Sequence, residues 1–322
     1  MLSDAETRFV DALAKLTTGA ADNCRIGLAV SGGPDSMALL LLAHRVIPNR
    51  ICVATVDHGL RAEALGEAHF VAAICAERGI SHRILTPALP ITGNIQSSAR
   101  RARYGLLAQW ASALDCAYIA TAHHADDQLE TILMRLARGS GVDGLSGIRA
   151  AVSIGNNPII RPLLGFTKSE LVAICNAAGI QPACDPSNTN DAYDRVRMRG
   201  WLAAHTHPLD AVAASRSASA LSEASAALDW TTQHFAVTRV HSNPPNYTLD
   251  PHDLPPELLR RLLLEILQRM EPQHAPRGDT VDRIIGTLIA GDKAMIGNVQ
   301  CQGGVNWHFS PAPARRSTRK MP

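Results

Sequence analysis

Two short segments hold most of the residues in this chain that could do chemistry. Ser31-Gly32-Gly33-Pro34-Asp35-Ser36 follows the apolar run Ile26, Leu28, Ala29, Val30 and directly precedes Met37 to Leu42. A strand, a tight turn and a helix in that order present free backbone N–H groups and the positive end of a helix, and the paired glycines let the backbone turn sharply, so the natural guest is a phosphate. The spacing is neither Gly-x-x-x-x-Gly-Lys-[Ser/Thr], which needs a lysine, nor Gly-x-Gly-x-x-Gly. The ordinary alternative is a serine- and glycine-rich helix cap, and the flanking strand and helix argue against it. The second segment, His123-His124-Ala125-Asp126-Asp127-Gln128-Leu129-Glu130-Thr131, opens a helix. Asp127 and Glu130 lie three apart and so share a helical face, near enough to act together on a cation. First-turn acids also complement the helix dipole, which accounts for one such residue better than for two adjacent histidines and three acids together.

Further candidates are weaker. Arg100 and Arg103 in Ser98-Ala99-Arg100-Arg101-Ala102-Arg103-Tyr104 share a face, as a solvated basic face also would. Asp57 and His58 follow an apolar run, where Asp57 is equally a turn cap. Arg138 precedes the run from Gly139 to Gly147, which is too glycine-rich for a helix and reads as a mobile surface loop. The net charge is only +2, so any contact with RNA is local, the candidates being Arg100, Arg101 and Arg103, then Arg195, Arg197 and Arg199, and the terminal Arg315, Arg316, Arg319 and Lys320.

These groups need elements to place them. Apolar runs at 26–30, 51–56, 83–85 and 117–120 read as strands, with helices beginning near Ser36, Glu63, Asn94 and Ala125. Strands joined by crossover helices are parallel, which predicts an α/β, doubly wound parallel sheet carrying its ligands at the strands' carboxyl ends. A helix from Lys168 to Ala178 follows, then the turn-rich Asp185 to Asp191, and an amphipathic helix over 209–236 rich in Ala and Ser. Pro244-Pro245 breaks the chain ahead of helices at 256–270 and 279–290 and a strand pattern around 296–309. The expected organisation is a nucleotide-binding catalytic domain over 1–205, a helical linker over 206–243, and a small α+β domain over 244–322.

With 322 residues, 46% of them apolar, the chain can bury a full core. No apolar run reaches membrane-spanning length and the N-terminus lacks signal-peptide character, so the expectation is a cytoplasmic protein without a membrane. The seven cysteines form no Cys-x-x-Cys pair and no zinc-like quartet and read as buried thiols.

Ser-Gly-Gly-x-Asp-Ser resembles the PP-loop of the ATP pyrophosphatases, a Rossmann-like superfamily. Further blocks in order, Val56 to Arg61, Arg100 to Tyr104, Thr121 to Thr131, Arg138 to Leu145, Arg161 to Leu164 and Asp185 to Asn188, make the chain similar to the tRNA(Ile)-lysidine synthase family. The resemblance is strong over 22–205 and weak beyond. It implies a carbon–nitrogen ligase that uses ATP and Mg2+ to attach free lysine to C2 of the wobble cytidine of a CAU-anticodon tRNA(Ile), through an adenylated cytidine. It further implies that Ser31, Gly32, Gly33, Pro34, Asp35 and Ser36 bind ATP, that Asp35 orients magnesium through water, and that Arg103, Asp127 and Glu130 bind lysine. His124 then serves as a second base or a phosphate contact, and a homodimer stays open. Val196 stands where the family usually carries Asn, which removes a set of amide hydrogen bonds from that stretch. The other readings are a tRNA thiolase, disfavoured by the missing cysteine pairs, a small-molecule synthetase, and a non-catalytic tRNA-binding protein.

Overall fold

The computed structural model describes residues 2–19, 24–59, 63–88, 95–154, 157–183, 194–205, 207–273, 276 and 278–313. The turn-rich segment 185–191 and the basic C-terminus lie outside them. The chain divides into two compact units, Met1–Ser222 and Glu223–Pro322.

The first unit runs α1 (Asp4–Leu16), β1 (Arg25–Ala29), α2 (Pro34–Val46), β2 (Ile51–Val56), α3 (Glu63–Glu77), β3 (His82–Leu85), α4 (Ile95–Ala113), β4 (Cys116–Ala120), α5 (Ala125–Leu136), α6 (Val142–Leu145), β5 (Ala151–Ile154), β6 (Asn157–Ile160), α7 (Lys168–Ala177) and α8 (Asp194–Ala204). Its sheet has the order β3-β2-β1-β4-β6-β5 and is parallel except for the edge strand β5. The central strands are apolar because helices cover both faces: Ile26, Leu28, Val53, Ile119 and Ile160 are all buried. Strand order reverses between β1 and β4, so the loops after these two strands diverge from one crevice, where doubly wound sheets place ligands. The two motifs that stand out in the sequence are those two loops. Gly27 on β1 lets the ring of Trp110 on α4 lie against the strand, since a Cβ there would fall 2.6 Å from it.

Several elements depart from expectation. Helix α1 begins with a capping box in which Glu6 N–H donates to Ser3 and Ser3 N–H to Glu6. Strands β5 and β6 extend the sheet past β4, in a stretch too short and too broken by Pro158 to read as strand. The glycine run after Arg138 is no loose loop. It contains α6, Arg135 donates to the carbonyls of Gly144 and Gly147, and Gln128 bonds the backbone of Ile148 through both its amide atoms. Donors reaching over from α5 supply the order that the composition alone does not.

The second unit is built on an antiparallel sheet ordered β7-β8-β11-β10-β9, from β7 (Val240–Asn243), β8 (Asn246–Leu249), β9 (Lys293–Ile296), β10 (Val299–Gln302) and β11 (Trp307–Pro311). With it go α10 (Pro256–Met270) and α11 (Gly278–Ile289), whose Leu262, Ile266 and Leu288 join Trp307 and Phe309 in one core. Pro244-Pro245 forms the turn of the β7–β8 hairpin. The long helix expected near 209–236 is α9 (Ala211–Arg239), and the two units share it. Among the described residues no helix is long and apolar enough to cross a membrane.

Candidate active site

The loop after β1 is wound by its own hydroxyls. Ser36 Oγ accepts from Ser31 N–H at 3.1 Å and donates to Gly33 C=O at 3.0 Å, which fixes the turn from inside. Gly32 has φ +91°, a conformation that L side chains rarely adopt. Gly33 is the N-cap of α2 and Pro34 opens the helix, so the α2 N-terminus is aimed into the crevice. Gly32 C=O accepts from Ala183 N–H and Pro34 C=O from the Cys175 thiol, which ties the loop to the far side of the unit. Asp35 is half-buried, and its Oδ1 has no hydrogen-bond partner among the described residues.

The loop after β4 contributes the two histidines, which end in opposite charge states. His124 is buried and caps α5; its Nε2 lies 3.5 Å from both Asp35 and Asp127, and its Nδ1 3.4 Å from Asp126. Burial opposes its charge, but the carboxylates of Asp126, Asp35 and Asp127 at 3.4–3.5 Å overcome that and raise its pKa to about 10, while its Nδ1 has no hydrogen-bond partner among the described residues. Asp126 is correspondingly lowered, first by its closeness to His124. His123 goes the other way. Burial, reinforced by the charges of Arg161, Arg103 and Arg195 against the opposing pull of Asp127, depresses it to about 3. At neutral pH His124 is therefore an imidazolium. Of the two roles considered for it, that state suits contact with phosphate and not general-base work.

Asp127 and Glu130 project from one face of α5, and two arginines of α8 meet them there. Glu130 is 2% exposed and accepts from Arg195 Nε at 3.0 Å and Arg199 Nε at 2.8 Å. Asp127 is held more loosely, its Oδ1 lying 3.7 Å from Arg199 and 3.9 Å from Arg195, while Oδ2 accepts the His124 backbone N–H at 3.2 Å. Part of the role of Asp127 is thus to cap its own helix. Arg195 and Arg199, grouped by sequence with Arg197 as an RNA-facing run, turn inward; Arg197 pairs with Asp194 at the surface. The available signal was the i, i+4 spacing of 195 and 199, which puts them on a face that 197 does not share.

Arg103 forms no hydrogen bond or ion pair with Asp127 or Glu130. It faces His58 and His123, lowering the pKa of both, and burial lowers its own. Arg100 stacks over Tyr104, with its guanidinium carbon 5.0 Å from the ring centroid. Asp57 accepts the N–H of Gly59 at 2.8 Å and so acts as a turn cap, while His58 Nδ1 is buried without a hydrogen-bond partner among the described residues. Arg138 reaches Asp194 on α8. The crevice between β1 and β4 thus joins a phosphate-type loop to a carboxylate pair through one charged histidine.

A PP-loop domain model matches residues 2–206, and the chain is a PP-loop protein. It is 44% identical over 301 residues to the tRNA(Ile)-lysidine synthase of Novosphingobium aromaticivorans, covering 92% of this chain and 91% of that protein. It is 42% identical to that of Zymomonas mobilis, covering 91% and 90%. Within the PP-loop proteins the chain belongs to the tRNA(Ile)-lysidine synthase family, ligases that form a carbon–nitrogen bond. The solved U34-tRNA thiolase NcsA of Methanococcus maripaludis, a protein with a [4Fe-4S] cluster, shares the fold at TM-score 0.56 and 17% identity, over 67% of this chain and 79% of that one.

Proposed function

We propose that this protein ligates the ε-amine of free lysine to C2 of the wobble cytidine of a CAU-anticodon tRNA(Ile), after ATP has adenylated the cytidine, with release of pyrophosphate and then AMP. The observation that carries the reading is the 3.5 Å contact of His124 with both Asp35 and Asp127, which joins a loop shaped for phosphate to a carboxylate with capacity for an ammonium ion. Ser31 to Ser36 bind the ATP phosphates, and the His124 imidazolium faces the negative charge that develops on the departing pyrophosphate. Among the described residues no group of three or more His, Cys, Asp or Glu is arranged to hold a metal ion. A magnesium ion that travels with ATP needs only one or two protein carboxylates, and the unpartnered Oδ1 of Asp35 is an oxygen donor of the right kind. Bound there with the phosphates, it supplies charge neutralisation.

Lysine must lose a proton before it can attack. An amine of pKa about 10.4 costs roughly 4 to 5 kcal/mol to deprotonate at pH 7. Glu130 is already neutralised by two guanidiniums, so Asp127, with its longer contacts, has more capacity to accept the ammonium. Arg103 is without a carboxylate partner among the described residues and suits an anionic part of a substrate. The thiolase reading finds little support: burial holds the Cys75 and Cys175 thiols up at about 11, and the close pair Cys52 and Cys116, Sγ atoms 3.1 Å apart with Cys116 lowered by that contact, is buried at the amino ends of β2 and β4, opposite the crevice.

The test is incubation with ATP, magnesium, radiolabelled lysine and a tRNA(Ile) transcript bearing CAU, with tRNA(Met) as control. Label incorporated at the wobble cytidine of tRNA(Ile) alone, with AMP and pyrophosphate formed, is the expected result. Absence of label with intact ATP and tRNA binding removes lysine as the acceptor's partner.

A further inference from the structure

Strand β6 ends in a buried cation. Ile159 packs with Leu107 and Trp110 of α4, and Ile160 joins the core on the other face of the sheet, so strand alternation turns Arg161 to the α4 side. Arg161 is 5% exposed; its Nη1 donates to Arg149 C=O at 2.5 Å, while its Nε is buried without a hydrogen-bond partner among the described residues. Burial lowers its pKa, Tyr104, which it also bonds, offsets part of that, and Arg100 lowers it further. Arg103 neighbours the same phenol, and the Arg100 guanidinium lies over its ring. Three guanidiniums thus crowd one tyrosine, exposed at Arg100, half-buried at Arg103 and buried at Arg161. Among the described residues no carboxylate pairs with Arg103 or Arg161.

A charge buried in this way is stabilised by an anion, and depth and position select which one. The phosphate loop leads into α2, which packs on the opposite face of the sheet from α4. A phosphodiester is fixed within a polynucleotide backbone and stays at the surface, whereas a carboxylate at the end of a slender molecule can reach inward. The other end of that molecule is marked as well. His123 stands just past the end of β4, the strand beside β6, with its Nδ1 3.0 Å from Thr121 Oγ1. Beyond the effect of burial, Asp127 favours a charge on this ring and Arg161 and Arg103 oppose one, so groups of both signs bear on one imidazole. A carboxylate for an ammonium and guanidiniums for a carboxylate complement a free amino acid, here lysine with its flexible four-carbon stem. We infer that Arg161, together with Arg103, receives the α-carboxylate of the free lysine and thereby selects an amino acid over an amide or a simple diamine. The inference rests on the lysine reading above and adds Arg161 to the residues that choose the substrate.

The experiment measures kcat/KM for lysine, lysinamide and pentane-1,5-diamine with ATP and tRNA(Ile), by mass spectrometry of the digested RNA, on wild type, Arg161→Gln and Arg161→Lys. Melting and ATP binding report the folding of each protein. A charged hydrogen bond to the carboxylate makes wild type prefer lysine over lysinamide by about tenfold or more. Arg161→Gln is expected to lower that preference by about tenfold, and Arg161→Lys, which keeps the charge without the fork, to fall between. Where the Gln variant does not fold, the Lys variant and the wild-type comparison carry the test. A preference unchanged in the folded variants, or an equal fall for lysine and lysinamide, overturns the role of Arg161 and leaves lysine ligation standing. Equal use of lysine and lysinamide by wild type overturns the carboxylate site, again with ligation intact. A wild type that transfers none of the three overturns the ligation reading and this inference with it.

Discussion

Arg199 grips both oxygens of Glu130, its Nε bonding Oε1 at 2.8 Å and a terminal nitrogen bonding Oε2 at 3.2 Å. This two-point bond raises the arginine's already high pKa further. It means that the buried carboxylate expected to meet a substrate ammonium is, in this structure, part of an interhelical clamp with Arg199 and Arg195.

Glu130→Gln tests that double role. The amide keeps the volume but loses the charge, and both arginines are exposed by a third or more, so water takes up part of the loss. We expect a stability decrease of about 1–3 kcal/mol, read as a lower midpoint in urea. Lysine incorporation is expected to fall by about 100-fold or more, with ATP binding retained. Unchanged incorporation removes Glu130 from the reaction.

The phosphate loop separates backbone geometry from ligand approach. At Gly32 the backbone sits at φ +91°, and an alanine Cβ would have room, its nearest neighbour lying at 3.5 Å, so Gly32→Ala pays in conformation alone, about 1–2 kcal/mol. Gly33 has an ordinary φ of −72° and the added Cβ meets only Ser31 Oγ at 3.9 Å. Gly33→Ala is therefore expected to melt within about 0.5 kcal/mol of wild type and still bind ATP more weakly, because the methyl group stands where phosphate must approach. Calorimetry of both variants with and without ATP separates the two effects.

How much of this was legible in the sequence depended on whether the order came from neighbours in the chain or from distant ones. The strand, turn and helix around Ser31 to Ser36, and α10 at Pro256–Met270, are set by local pattern and fell where the pattern put them. The β5–β6 hairpin joins the sheet through Ile159 and Ile160 beside Ile119 and Ala120 of β4, the run after Arg138 is pinned by side chains 9 to 20 residues back, and the turning of Arg195 and Arg199 onto Glu130 spans 65 and 69 residues. A row of alternating arginines is the same string whether it faces RNA or a buried carboxylate. Only the packing of α8 on α5 decides between them.

The histidine pair gives an opposed titration. His124, raised to about 10, favours the folded state fully below its unfolded value near 6.5 and loses that contribution as pH climbs through about 10. His123, depressed to about 3, favours the folded state above about 6.5 and loses that contribution as pH falls toward 3. Ring-proton NMR of the unliganded protein is expected to find His124 protonated and His123 neutral across pH 5 to 8, the range in which an unperturbed histidine changes charge. His124→Gln flattens the alkaline side of the stability profile. A midpoint near 6.5 for His124 contradicts the charge network around Asp35, Asp126 and Asp127, and one near 6.5 for His123 contradicts its burial.

Arg103 makes the sharpest contrast between stability and function. Arg103 is half-buried; burial lowers its pKa, Tyr104 partly offsets that, Arg100 opposes its charge further, and no carboxylate pairs with it among the described residues. A guanidinium held in that way costs the folded protein free energy that an ion pair would have offset. Arg103→Met, which keeps much of the stem's apolar volume, is accordingly expected to leave stability unchanged or to raise it by about 1 kcal/mol. The same change is expected to weaken use of an anionic substrate group, reducing kcat/KM for lysine transfer by about tenfold or more, since a charged hydrogen bond contributes about 1.5–3 kcal/mol. Arg103→Lys retains the charge without the fork and falls between the two. A Met variant both less stable and fully active would mark Arg103 as a packing residue, with its partner inside the fold and not in the ligand.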